Sequence, residues 1–173
     1  METKKVLVTG GNRGIGKGIV EAFLGNGNKV LATCRDMSKF PFKNENLTLA
    51  ELDILDEESV NNFKTTLEDF EPEILINNAG IGGGGDVESC DLDTWDQVHK
   101  VDLDSVFYGC KFSLPLMRKS GNGSIINISS ISGIVAGHNL SAYNSAKAGV
   151  RHLSKSVALH CARTTDLVRC NSI

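Results

Sequence analysis

The sequence predicts an α/β fold, a doubly wound parallel sheet, and three observations carry that expectation. Short apolar runs alternate with helix-length amphipathic segments along the 173 residues. A glycine-rich turn, Thr9-Gly-Gly-Asn-Arg-Gly-Ile-Gly16, joins the first apolar run to the first amphipathic segment. The residues best suited to chemistry follow directly on apolar runs, where a parallel sheet gathers the carboxyl ends of its strands into one binding edge.

The first strand is read over Lys4 to Thr9, an apolar run closed by glycines. Ile15, Ile19, Val20, Phe23 and Leu24 then recur at helical spacing, and Gly25-Asn-Gly-Asn28 stops that helix. Lys29 to Thr33 begins a second strand, and Leu47 to Leu52 forms a third. Glu57 to Phe70 is a helix with Val60, Phe63 and Leu67 turned inward and Asp56 as its cap. Glu73 to Asn77 is the fourth strand, Leu92 to Arg118 two helices joined near Val101, and Ser124 to Ile128 the fifth strand. A long helix runs from Tyr143 to about Ala162, and Leu167 to Asn171 is the sixth strand. No repeat, linker or second domain interrupts this order, so one domain over 1–173 is expected, with Gly82 to Gly85 as a flexible surface turn.

Composition narrows the function. Apolar content of 40%, charged content of 23% and a net charge of −3 describe an ordinary globular domain with no basic footprint for nucleic acid or anionic lipid. No apolar run approaches the roughly 20 residues of a membrane helix. Met1-Glu-Thr-Lys-Lys-Val leads straight into a strand and leaves no room for a signal peptide, so a cytoplasmic protein is expected. Five cysteines without CxxC spacing argue for reduced thiols, and the four histidines lack ligand spacing, so no metal is expected. The acidic stretch from Asp86 to Asp104 reads as a solvated face.

A glycine loop between a strand and a helix lets backbone N–H groups approach a pyrophosphate, with the helix N-terminus adding a favourable dipole. Here the spacing is Gly10-x3-Gly14-x-Gly16, which makes the first strand and helix a Rossmann-like dinucleotide site. Where an acidic residue at the end of the second strand would bind the ribose hydroxyls of NAD, this chain has Cys34 followed by Arg35. Arg35, together with Arg13 of the glycine loop, suits a 2′-phosphate, so NADP(H) is expected over NAD(H). The competing reading leaves both arginines in solvent and gives the ribose to Asp36.

Tyr143-Asn-Ser-Ala-Lys147 puts a phenol and an ammonium one helical turn apart on one face. An ammonium there favours the phenolate and makes the phenol a proton donor and acceptor usable near neutral pH. Ser130 lies thirteen residues upstream, and its hydroxyl can hold a substrate oxygen beside that phenol. Of the adjacent pair, Ser129 is assigned the turn-capping role. With a dinucleotide on the glycine loop, this constellation reads as hydride transfer at a carbonyl or alcohol.

These motifs, in this order, resemble the short-chain dehydrogenase/reductase family: the TGxxxGxG loop, Asn77-Asn-Ala-Gly80, Asn127-Ile-Ser-Ser130 and Tyr143-x3-Lys147. The resemblance runs essentially from end to end. It implies cofactor contacts at Gly10, Asn12, Arg13, Gly14, Ile15, Gly16 and Arg35, at Asp53 beside the adenine, and at Asn78, Ala79, Gly80, Tyr143 and Lys147. It also implies catalysis by Ser130, Tyr143 and Lys147 on a small-molecule substrate, and a homodimer or homotetramer built on the helix from Val101 to Met117 and the one from Tyr143. Where the family has a site asparagine this chain has Asp102, which the resemblance adds to the site. Family members continue past a sixth strand, and the chain stops at Ile173, so the expected domain is incomplete and its seventh strand absent. The alternative is an inactive fragment, or a nucleotide-binding regulatory protein of the same fold.

Overall fold

In a computed structural model of the chain, which describes residues 2–164 and 167–173, strands and helices alternate as expected. The order is β1 (Lys5–Val8), α1 (Gly14–Gly25), β2 (Lys29–Cys34), β3 (Leu47–Glu51), α2 (Glu57–Phe70), β4 (Ile74–Asn77), α3 (Leu92–His99), α4 (Ser105–Ser120), β5 (Gly123–Asn127), α5 (Ser141–Arg163) and β6 (Val168–Ser172). All strands pair in parallel, in the order β3-β2-β1-β4-β5-β6. The chain therefore builds outward from β1 to β3 and then crosses back to β4. Its topological switch point lies between β1 and β4, where open α/β sheets bind ligands. Met1, part of the N-terminal segment read above, lies outside the described residues.

Alternation along each strand divides the core in two. Leu7, Leu31, Leu75 and Ile125 face α2, α4 and α5, with Leu67, Val106, Met117 and Val150 packed over them. Val6, Val8, Val30, Ala32 and Ile76 face the other way, against Val20 of α1. Strands buried on both faces read as continuous apolar runs, which is why the sequence marks them so clearly.

The ends of the elements follow local chemistry. Asp56 caps α2 by accepting the Glu58 N–H at 3.0 Å. Gly121, at φ +75°, takes the left-handed position that closes α4. Helix α5 begins at Ser141, two residues before the expected start, so Tyr143 stands in its first turn. Between α3 and α4 the helix is continuous but passes through a π turn over Lys100–Asp104, and the Ser105 N–H reaches back to the Lys100 carbonyl. This turn corrects one expectation. Asp91, Asp93, Asp96 and Asp104 are indeed exposed, but Asp102 is fully buried and leaves the solvated face. Among the described residues no helix is long and apolar enough to cross a membrane, and no cluster of His, Cys, Asp or Glu could hold a metal.

Candidate active site

The glycine loop is fixed from two sides. Gly10 and Gly14 adopt φ +65° and +53°, conformations that side chains other than glycine rarely take. The Thr9 hydroxyl accepts hydrogen bonds from the Asn78 and Ala79 N–H groups, each at 3.0 Å. In return the Asn78 amide donates to the carbonyls of Thr9 and Gly10 at 2.9 and 3.1 Å. The loops after β1 and β4 are thus stapled together across the switch point. Helix α1 has neither a side-chain cap nor an acidic residue in its first turn, so its first N–H groups stay open to an anion.

A cavity of about 700 Å³ lies along this edge. Gly10, Asn12, Arg13, Gly14, Ile15, Gly16, Arg35, Asp53, Asn78, Ala79 and Gly80, the positions at which cofactor contacts are expected, all stand on its wall. Tyr143 and Lys147, also expected at the cofactor, are not part of that wall. Lys147 lies just behind it: a Cβ built on Gly80 would come 3.4 Å from the Lys147 Nζ. The sequence reading missed Thr33, Lys39, Gln97 and Val101 on the wall. Lys39 had a signal, a third cation four residues after Arg35. The Asp53 carboxylate accepts the Leu55 N–H at 3.0 Å, which orders the turn that carries it.

Asp36 is occupied. One carboxylate oxygen accepts from the Ser38 N–H at 3.0 Å and from the Ser38 hydroxyl, and the other pairs with Lys39 at 2.8 Å. The Lys39 bond first, then the Ser38 bonds, lower its carboxyl to about 2. An acceptor so engaged is poorly placed to bind ribose hydroxyls.

Toward β5 the site is made of side chains. Lys147 is buried and donates to the Ile128 carbonyl at 3.1 Å. Its Nζ also lies 3.2 Å from Asp102 Oδ2, an ion pair whose alignment falls short of a hydrogen bond. The other Asp102 oxygen accepts the Ile81 N–H at 2.7 Å. Burial pushes the Asp102 carboxyl up, with Lys147 and the Ile81 N–H acting against it. The same ammonium stands 5.6 Å from the centroid of the Tyr143 ring, so Asp102, Lys147 and Tyr143 are brought together.

Ser130 opens the short 3₁₀ turn Ile131–Gly133, which packs on α5. Here the serine assignment is corrected. Ser130 is the capping residue, its oxygen accepting the Ser132 N–H at 3.1 Å. Ser129 instead donates to the Lys147 carbonyl at 2.8 Å and ties β5 to α5. A hydroxyl that accepts one bond retains its proton, so Ser130 can still donate to a substrate oxygen.

Behind these residues lies a network that the sequence reading did not assign. The Asn77 amide donates to Asn127 Oδ1 at 2.8 Å, and the Asn127 amide donates to the Ser154 hydroxyl at 2.9 Å. All three side chains are buried, joining β4, β5 and α5. The Cys110 and Cys170 thiols close its edges at 3.8 and 3.5 Å from Asn127. The signal was present as an asparagine ending two adjacent apolar strands.

A nucleotide-sized cavity on a glycine loop at the switch point, with a tyrosine and lysine beside it, defines a doubly wound domain of the dinucleotide-binding class. The family model for short chain dehydrogenase matches residues 4–173, and the chain belongs to the short-chain dehydrogenase/reductase family of NAD(P)-dependent oxidoreductases. It is 38% identical to an NADP-dependent (R)-specific alcohol dehydrogenase of Lentilactobacillus kefiri, an alignment covering 100% of this chain and 72% of that protein. It is 32% identical to a 2-(R)-hydroxypropyl-CoM dehydrogenase of Xanthobacter autotrophicus, covering 99% and 73%. A short-chain dehydrogenase from Streptomyces avermitilis superposes with a TM-score of 0.92 at 26% identity, covering 99% of this chain and 65% of that one. The chain thus spans about two thirds to three quarters of the length of these proteins.

Proposed function

We propose that residues 1–173 form the nucleotide-binding and catalytic domain of an NADP(H)-dependent oxidoreductase that interconverts a carbonyl and a secondary alcohol. The observation that carries this reading is the course of the cavity: it runs from Arg13, Arg35 and Lys39 to Gly80, directly in front of Lys147. Arg13 and Arg35 at one end, with Asp36 and Lys39 paired to each other, favour a ribose bearing a 2′-phosphate. The NADP dependence named for the Lentilactobacillus relative supports the same choice.

The residues present fit that cofactor. The left-handed glycines and the open N-terminus of α1 would receive the pyrophosphate, Asp53 the adenine end, and Asn78, Ala79 and Gly80 the middle of the cavity. When bound, the nicotinamide supplies or accepts the hydride. Ser130 donates to the substrate oxygen and stabilises charge as it develops there. Tyr143 gives that oxygen its proton in reduction and takes it back in oxidation, and Lys147 holds the nicotinamide ribose and steadies the phenolate. Asp102 completes the site from behind Lys147.

Phe107 and Tyr108 of α4 are exposed, which supports a homodimer or homotetramer contact through α4 and α5. Reduced thiols and a cytoplasmic setting belong to the same proposal. Titration with NADPH and with NADH, followed by nicotinamide fluorescence, tests the cofactor choice, and tighter NADH binding would overturn it. Turnover of a ketone panel by the wild type and by Tyr143→Phe tests the chemistry. A nucleotide-binding protein without turnover would bind NADPH equally well in both.

A further inference from the structure

Asp102 stands where burial is hardest to reconcile with charge. Its side chain has no solvent exposure, and that of Lys147 has 5%. An ion pair so placed gives up the hydration of both ions and recovers it only through good mutual geometry. That geometry is imposed from three sides. The Ile81 N–H fixes one carboxylate oxygen at 2.7 Å. Gly80 leaves the other one room, since a Cβ there would stand 3.2 Å from Asp102 Oδ2 and 3.4 Å from Lys147 Nζ. The π turn over Lys100–Asp104 turns the carboxylate inward.

An ammonium has three protons to donate. One goes to the Ile128 carbonyl, and a second faces Asp102 off line. The third is left for the cavity side, past Gly80. We propose that Asp102 is a positioning residue: its buried carboxylate clamps Lys147, and the hold of Lys147 on the nicotinamide ribose therefore depends on whether that carboxyl is charged. This rests on the cofactor reading above and adds to it a local control that a neutral asparagine could not provide.

The charged and titratable groups facing Asp102 are Lys147 from α5, with Tyr143 beyond it, and His99 from α3. The loop after β4 offers it the Ile81 N–H and the bare Gly80, and Asp104 of its own turn points to solvent. His99 is itself held by the Trp95 carbonyl at 2.9 Å and the Ser145 hydroxyl at 3.0 Å, so it acts on Asp102 through its field. Burial favours the protonated carboxyl, so on acidification the clamp opens at a higher pH than an ordinary carboxylate would protonate.

The test compares wild type with Asp102→Asn, which keeps the shape and removes the charge. NADPH is titrated between about pH 5 and 8, a range around the usual histidine value and above that of free carboxylates, and nicotinamide fluorescence is read at saturation. In the wild type the enhancement is lost through a one-proton step on acidification, and in Asp102→Asn that step is missing. Titration of the 2′-phosphate is common to both proteins and cancels in the comparison. The same step in both proteins overturns the proposal, and so does its absence from both.

A second measurement needs no cofactor. In the ligand-free wild type, the ¹⁵N ammonium resonance of Lys147 moves with the same one-proton step as the ¹³C carboxyl of Asp102. Independent titration of the two overturns the clamp, even if Asp102→Asn does not fold. Failure of the wild type to bind NADPH would overturn the cofactor reading instead, and the resonances would still decide the clamp.

Discussion

Between β1 and β3 the binding edge is made of backbone and of side chains that stand in solvent, whereas between β4 and α5 it is made of buried polar side chains held by one another and by backbone groups, with Asp102 Oδ2 left to the charge of Lys147. The first half consists of left-handed glycines, an open helix end and the exposed Arg13, Arg35 and Lys39. The second consists of Asn77, Asn127, Ser154, Asp102 and Lys147, each nearly without solvent contact. Exposed cations can be exchanged at little cost to folding, because water takes over what they lose. A buried polar group left without its partner retains its full desolvation penalty. On the function proposed above, the choice of nucleotide rests on side chains whose change folding tolerates, and the hold on Lys147 on side chains whose change it does not.

The sharpest way to break this contrast is at Tyr143. Tyr143→Phe removes a proton donor but no packing, and kcat on a ketone panel should fall by about 10²- to 10⁴-fold while NADPH affinity and the melting temperature hold. A loss under about tenfold would remove Tyr143 from the role of general acid. Asn127→Ala removes a buried side-chain partner from both Asn77 and Ser154, which keep the Val106 and Val150 carbonyls, and urea unfolding should show a loss of about 2 kcal/mol.

On the other half, Arg35→Ser should weaken NADPH binding by about tenfold or more, with NADH affinity and unfolding midpoint little changed. An equal loss for both nucleotides would mean that Arg35 does not read the 2′-phosphate.

A smaller effect concerns pH. The Asp102 carboxyl is raised by burial, so the folded state binds its proton more readily than the unfolded state does. Wild-type stability therefore falls relative to Asp102→Asn as pH rises from about 4, the unfolded carboxylate value, through the raised folded value. The difference in melting temperature, variant minus wild type, should grow over that window. A flat difference would mean that the buried carboxyl titrates as an ordinary one. The smallest effect belongs to Glu21, which faces Lys17 at 3.6 Å on exposed α1, and Glu21→Ala should cost no more than about 0.5 kcal/mol.

The same division explains what could be read from the sequence. The glycine loop, the six apolar runs and the Tyr143–Lys147 spacing are local patterns, each weak alone and specific through their order along the chain. Strand ends moved by a residue where a loop side chain took over the hydrogen bonding, as Thr9 does after β1. What escaped notice depends on contacts between distant elements. Asn77 and Asn127 read as strand residues inside two separate motifs, and their pairing appears only when the sheet sets those strands side by side in register. Asp102 reads both as one more acid in a solvated series and, by resemblance, as a site residue, and its inward turn in the helix decides between the two. The cap expected of Ser129 falls to Ser130, because the packing of the 3₁₀ turn on α5 gives the Ser129 hydroxyl the Lys147 carbonyl instead.

The π turn at Lys100–Asp104 carries one residue more than the α-helical turn it replaces. Along the sequence, that residue sets α3 and α4 out of phase by about 100°. Removing a single exposed position, Asp104, would let the two helices run on as one. Because the five residues of the π turn sweep about the arc of four α-helical ones, Val98 of α3 and Val106 of α4 would keep their faces in the core, and only the residues inside the turn, Asp102 among them, would be re-aimed. A shortening by one residue, ordinarily a matter of length, would act here as a change of direction at Asp102 alone, leaving both helices packed and Lys147 without the carboxylate that faces it.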